Sequence, residues 1–398
     1  MGAQGNAMVF RSMFGVLCVA LGLAGCAGQR VVSAPPASLW QDQAFGYQSA
    51  LVTETRDTVF ALDPSMLAIL FTPGSQVQST QQRLDLLVSR LYDPKGLRLS
   101  YASGRTTGAA ETWRNQSGDC LSLTVMAYAA ARTLGLRAYM QEVQVPLTFD
   151  RRDGLDFIGD HVNLLVRHAY DVPLNDRTMS VESFVIDFEP QTGANRFGQR
   201  LTEDDILARY YNNRAAQYLV QKDDARAYAY YRAAIATAPA YTPAFANLAQ
   251  LYVRKGLLTN AEQLLTHAIA AGGPSYSALR TMQTLLTRQG RTAEAQHYAQ
   301  LLAKQRNENP YYWMGLGMTA MRESDYRTAI DALERAAALA TGFEEIHYQL
   351  ALAYWRGGQV DAARKQLAVL DGINHQAPGV GTLSKKFSAP LPTSPPGG

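Results

Sequence analysis

The chain has 398 residues, 47% of them hydrophobic and 18% charged, an ordinary balance for globular protein and length enough for two or three domains. Its 37 basic and 34 acidic residues give a formal net charge of +3; loss of residues 1–25, which hold Arg11 and no acid, would leave 36 against 34, or +2. From so small an excess no general electrostatic attraction to nucleic acid or to a membrane surface follows.

Arg11 precedes an apolar run from Met13 to Leu23, which closes on Leu23-Ala24-Gly25-Cys26. A short apolar core behind one positive charge, ending in small residues, predicts a secretory signal over residues 1–25 rather than a membrane-spanning helix. The Leu-Ala-Gly-Cys ending resembles the bacterial lipoprotein lipobox. That resemblance implies that Cys26 is the lipidated first residue of the mature protein, and that Ala27 behind it favours the outer membrane. The competing expectation is an ordinary cleaved signal. Residues 26–48, with Pro35-Pro36, read as a lipidated tether, and folded structure is expected from Ser49.

Residues 49–205 read as one α+β domain. Ala61–Phe71 is a short apolar segment, and 80–92 places Leu84, Leu87, Val88 and Leu91 on one helical stripe. Residues 96–101 alternate as a strand does, and 104–117 read as a loop. An apolar, alanine-rich helix follows from Leu121 to Leu134, with Gly135 as its stop. Strands are expected at 137–145, 161–168 and 183–188, with a solvated loop at 147–160.

Ser117-Gly118-Asp119-Cys120 leads directly into that helix. A cysteine in a first helical turn faces unpaired N–H groups and the positive end of the dipole, which favour the thiolate. Of three cysteines, Cys18 leaves with the signal and Cys26 is capped by lipid, so Cys120 has no partner for an intramolecular disulfide. The alternative role for Cys120 is a small buried apolar residue. A thiol nucleophile needs a base and the base an orienting acceptor. His161 opens a strand and can face the helix start; His168 closes the same strand with opposite parity and reads as a solvated strand-end histidine. Asp187 lies in the apolar stretch Val185-Ile186-Asp187-Phe188, where a carboxylate needs a partner.

The order Gly-Asp-Cys before an apolar helix, Leu-Gly-Leu-Arg-Ala, a histidine opening a strand, then Ile-Asp-Phe-Glu-Pro resembles the transglutaminase-like superfamily over about residues 60–200. The resemblance implies a papain-like core with a catalytic triad of Cys120, His161 and Asp187. Family members often carry His-Ala-Trp where this chain has His161-Val162-Asn163. The backbone N–H of Cys120 would hold the oxyanion, with Gln116 and Trp113 as candidate second donors; their alternative role is loop packing.

From residue 208 a 34-residue period appears, with blocks starting at Ala208, Thr242, Tyr276, Pro310 and Glu344. The eighth positions are Ala215, Ala249, Gln283, Gly317 and Ala351; the twentieth are Ala227, Ala261, Ala295, Ala329 and Ala363. Gly256, Gly290 and Gly358 fall at the turn between helices. The pattern resembles the tetratricopeptide repeat, TPR, over 208–377. Tyr218, Phe245, Tyr252, Trp313 and Tyr354 read as core packing rather than ligand-stacking platforms. The proline-rich tail 378–398 is expected to be disordered.

His267, His297, His347 and His375 lack ligand spacing and no phosphate-binding glycine loop occurs, so no metal or cofactor is expected. The fold expected is an α+β transglutaminase-like domain followed by an all-α TPR solenoid. The leading function is a lipid-anchored envelope cysteine peptidase or amidase, periplasm-facing, that binds a protein or peptide through its repeats. The alternative is a non-catalytic envelope adaptor that binds protein partners through the same array.

Overall fold

A computed structural model describes residues 35–71, 79–92, 99–102, 104–143, 149–152, 155–158, 161–168, 182–188, 198–373 and Leu383. The signal segment, Cys26 and all but Leu383 of the expected tail lie outside these residues.

The first domain starts earlier than composition suggests. Helices α1 (Asp42–Phe45), α2 (Arg56–Phe60), α3 (Pro64–Leu70) and α4 (Thr80–Tyr92) precede strand β1 (Ser100–Tyr101). Leu84, Leu87 and Leu91 bury the stripe read on α4. The expected loop at 104–117 is instead helix α5 (Ala109–Asn115), which leads to β2 (Ser117–Gly118), paired in parallel with β1. Two helical turns are too short to form on propensity; burial of Ala109, Thr112 and Trp113 holds them.

Helix α6 (Cys120–Thr133) is buried almost throughout, as its alanine-rich sequence allows. Asp119 caps it, its carboxylate accepting from Ser122 N at 2.8 Å, and Gly135 follows at φ +69°. Strands β3 (Arg137–Val143), β6 (His161–His168), β7 (Glu182–Ile186) and β8 (Gln199–Arg200) form an antiparallel sheet in the order β7-β6-β3-β8. Between β3 and β6 the expected solvated loop contains a hairpin of β4 (Phe149–Arg152) and β5 (Leu155–Ile158). The domain is α+β. Ala138, Met140, Val162, Leu164, Val166 and Ile186, which share one sheet face by register, join α6 in a single core.

Five helix pairs follow: α7 (Glu203–Val220) with α8 (Asp224–Thr237), α9 (Thr242–Arg254) with α10 (Leu258–Gly272), α11 (Tyr276–Arg288) with α12 (Thr292–Asn307), α13 (Pro310–Arg322) with α14 (Tyr326–Leu339), and α15 (Glu344–Arg356) with α16 (Val360–Ile373). Four of the five sequence blocks begin on the first residue of a helix. Helix α7 starts five residues before Ala208, fixed by a capping box between Thr202 and Asp205. The small positions work as close-approach sites. A Cβ on Gly317 would lie 2.6 Å from Leu333 Cγ, and Gln283, the one large residue of its set, is only half-buried.

The turn after each inner helix is left-handed in all five repeats: Lys222, Gly256, Gly290, Ser324 and Gly358 have φ of 63°, 83°, 75°, 62° and 79°. Phe245 and Tyr252 are fully buried core, whereas Tyr218, Trp313 and Tyr354 are half-buried. Of the tail, Leu383 packs buried beside Ala351, Trp355, Ala363 and Leu370, so at that point the expectation of disorder fails.

The tether expectation also fails from residue 35 onward. Residues 35–55 form a strap lying on the first two repeats. The Phe45 ring stacks on Tyr228 with centroids 4.6 Å apart and on Tyr252 at 5.7 Å. Tyr252 Oη donates to the Leu39 carbonyl at 2.9 Å, and Tyr228 Oη to Asp42 at 2.7 Å. Glu54 pairs with Arg214 at 3.2 Å and accepts from the Tyr230 hydroxyl. The domain itself is tied to α7 by Tyr128 donating to Glu203 at 2.7 Å and by an Arg209–Glu142 ion pair at 2.6 Å.

Candidate functional site

Two regions gather candidate functional side chains. The first lies at the end of the sheet where β6 begins. Cys120 is the first residue of α6 and is half-buried. One turn on, and on the same helix face, Thr124 Oγ1 donates to the Val162 carbonyl at 3.3 Å, so the start of α6 lies against the start of β6. Asp119, 6% exposed, is held by Ser122 and by the Thr106 hydroxyl.

His161 is the first residue of β6 and is 4% exposed. Asp187 stands one residue past the end of β7, not inside the strand as its apolar neighbours suggest. The structure brings these two together: His161 Nε2 lies 3.0 and 2.9 Å from the two carboxylate oxygens of Asp187. The Tyr92 hydroxyl donates to the Asp187 carbonyl at 3.3 Å, and its ring stacks on Phe188. Burial and the Asp187 charge push the Tyr92 phenol up to about 12, so it stays a donor at any physiological pH.

Neither candidate oxyanion side chain is engaged in that way. Trp113 is buried and its indole N–H donates to Ser65 Oγ at 2.8 Å, which removes it from the role expected for it. Gln116 is exposed, with left-handed φ of 50° at the end of α5. His168 ends β6 opposite Glu182.

Two buried polar residues beside this pair were not legible in the sequence. Gln141 and Asn163, each 1% exposed, are register partners on β3 and β6. Gln141 Nε2 donates to Asn163 Oδ1 at 2.8 Å, and Asn163 Nδ2 to Asp187 Oδ2 at 3.2 Å. In sequence a polar residue at alternate strand positions reads as solvent-facing, and only the tertiary cover shows otherwise.

The second region is a groove of about 750 Å³ between the sheet edge and the inner helices α7, α9 and α11. Glu142 and Gln199 line its domain side. Asn212, Asn247, Gln250, Thr281, Thr284 and Arg288 face it from the helices. Arg254 and Arg288 also line it, each in the last turn of its inner helix; arginine recurs at the same place in the next two repeats, as Arg322 and Arg356, outside the groove. A cation there also offsets the helix dipole; Arg254 is further spent on an Asp224 ion pair and the Leu219 carbonyl.

A tetratricopeptide-repeat family model matches residues 320–386. Among solved structures the chain is similar to the TPR protein YrrB, described as having an unusual peptide-binding site, at 18% identity over 45% of this chain and 92% of that one, with a TM-score of 0.23. It is similar to the MamA protein at 18% identity over 48% of this chain and 98% of that one, TM-score 0.22. It is also similar to Pseudomonas aeruginosa pilF at 17% identity over 47% and 85%, TM-score 0.25. No curated protein matches the chain. The family match and the five helix pairs in 34-residue register make the C-terminal region a TPR solenoid, a scaffold of the protein-binding type.

Proposed function

We propose that the chain is a binding scaffold that holds an extended protein segment in the groove between the sheet edge and the inner helices. The observation that carries this is the groove lining. Amides and hydroxyls recur one helical turn apart on neighbouring helices, and such groups pair with the N–H and C=O of a peptide main chain. Arg288 has no ion pair among the described residues and adds a preference for an acidic group. A peptide array probed with the full chain tests it: binding should fall in a Gln250→Ala/Thr284→Arg double variant. Binding unchanged by both substitutions rules the groove out.

A second function, thiol catalysis of the transglutaminase-like type, is favoured by the buried His161–Asp187 contact at the end of the sheet where α6 starts. In it the Cys120 thiolate attacks an amide or ester carbonyl, the Cys120 N–H holds the oxyanion, and His161 protonates the leaving group before activating water or an amine. Asp187 fixes the ring. Iodoacetamide should alkylate Cys120 faster than a free thiol at neutral pH, and His161→Ala should slow it sharply. Alkylation at the free-thiol rate, unchanged by His161→Ala, leaves the binding scaffold as the whole function. Cys26 is proposed as the lipidated residue of a protein facing the periplasm; a Cys26→Ala chain that stays with the membrane fraction would rule this out.

A further inference from the structure

We propose, resting on the thiol chemistry above, that a buried amide relay from Gly198 through Gln141 to Asn163 positions Asp187 and sets which ring nitrogen of His161 is left for proton transfer. Oxygen and nitrogen of an amide side chain look alike, and their assignment comes from the network around them. Here the network has a fixed direction. At its head stands the backbone N–H of Gly198, which can only donate, 3.2 Å from Gln141 Oε1. That places Gln141 Nε2 toward Asn163, whose Oδ1 accepts it at 2.8 Å. Asn163 must then turn Nδ2 to Asp187 Oδ2, at 3.2 Å. Reversing either amide would set donor against donor at one end of the relay and acceptor against acceptor at the other, inside a region where both side chains are 1% exposed.

The head of the relay depends on a glycine. A Cβ on Gly198 would lie 1.7 Å from the Glu142 carbonyl oxygen, so the approach that delivers its N–H admits no side chain.

At the foot, Asp187 receives an N–H from Asn163 and lies against His161 Nε2 at 2.9 and 3.0 Å. Donors at a carboxylate favour its ionised form. An ionised Asp187 only accepts, so His161 carries its hydrogen on Nε2 and presents the lone pair on Nδ1. Proton transfer then breaks the Cys120 S–H bond and forms N–H on Nδ1. It leaves a thiolate and an imidazolium whose charge Asp187 balances. Gln141 and Asn163 touch no reacting atom; they are positioning residues.

Among the described residues the titratable groups shown against this site are Asp187 after β7, on His161 Nε2, and Tyr92 from α4, on the Asp187 carbonyl; Cys120 begins α6, which packs on β6. The test follows iodoacetamide alkylation of Cys120, read by peptide mass, against pH in the full chain. Wild type is compared with Asn163→Leu, Asp187→Ala, the double variant and His161→Ala, with thermal unfolding in parallel. Asn163→Leu should slow alkylation at neutral pH on the order of tenfold, the lower end for residues that orient a ligating histidine. It should also move the acid limb of the profile to higher pH, and the double variant should be no slower than Asp187→Ala alone. A purely structural Asn163 would lower the melting temperature, leave the profile in place and add to Asp187→Ala; that result overturns the relay. Should Asn163→Leu not fold, Gln141→Met removes the orienting donor and should slow alkylation about threefold, one hydrogen bond's worth; no change overturns the relay equally. If His161→Ala slows alkylation while Asn163→Leu tracks wild type, only the relay falls. If His161→Ala changes nothing, the thiol chemistry falls and the relay with it.

Discussion

Replacing Phe45 with alanine should detach the strap from the first two repeats. Its ring is 5% exposed and lies nearly parallel to Tyr228, at 6°, with Tyr252 5.7 Å away and the two tyrosine rings 6.3 Å from each other, so the three pack as one cluster. Truncating a buried phenylalanine costs about 3–5 kcal/mol, of which each aromatic pair supplies about 0.5–1.5 kcal/mol. The loss is capped, because a strap that peels away cannot lose more than its whole docking free energy. A loss of about 3 kcal/mol is therefore expected, which lowers the first urea transition by about 1 M for a slope of about 3 kcal/mol/M. Repeat arrays unfold in parts, so the first transition is the one to compare, by circular dichroism, with limited proteolysis of residues 35–55 alongside. Phe71→Ala is the control: that ring is 54% exposed and its loss should stay within about 0.5 kcal/mol. Equal midpoints for the two variants, with no new cleavage before residue 55, would show that the strap contributes nothing.

The same contact surface should be acid-sensitive. Burial pushes the Glu54 carboxyl up, but hydrogen bonds from Tyr230 and Thr53 and the Arg214 charge outweigh it and hold it below the ordinary glutamate value of 4.5. A depressed carboxylate stabilises the fold above its unfolded value and loses that contribution as pH falls through the folded one. Glu54→Gln should thus flatten the melting-temperature profile below about pH 4.5, and superimposable profiles would contradict the linkage. At the repeat turns, Ser324 and Lys222 hold left-handed backbone where three other repeats use glycine. Ser324→Gly and Lys222→Gly should each raise stability by about 1 kcal/mol and Gly290→Ala lower it similarly, measured by thermal unfolding. A lower melting temperature for Ser324→Gly would mean that its side chain matters more than its φ.

What could be read in the sequence tracks how local the cause is. The repeats were legible because each helix pair repeats its own packing demands: small residues at close approach, glycine at a left-handed turn. Helix α6 and strand β6 were legible from periodicity, and so was His161 at a strand start; Asp187 was read as the acid, although it stands one residue beyond β7 rather than inside it. Helix α5 and the strap were not. The apolar anchors Leu39 and Phe45 stand singly in a stretch without period, and their partners lie some 200 residues away on α8 and α9. Gln141 and Asn163 escaped for a related reason, since alternation alone cannot tell a covered sheet face from a wet one. The groove needs two domains side by side before it exists.

Repeat solenoids have two open ends, and an uncovered end repeat invites stacking of one molecule on the next into an open filament. Among the described residues of this chain both ends carry cover. The first hairpin is roofed by the strap and by α2 with the residues around it, where Arg56 pairs with Glu203 and the Tyr211 hydroxyl donates to the Glu54 carbonyl. On the last hairpin Leu383 is buried with Ala351, Trp355, Ala363 and Leu370. Among the described residues both terminal hairpins thus carry covering side chains, an arrangement that disfavours end-to-end stacking of the array.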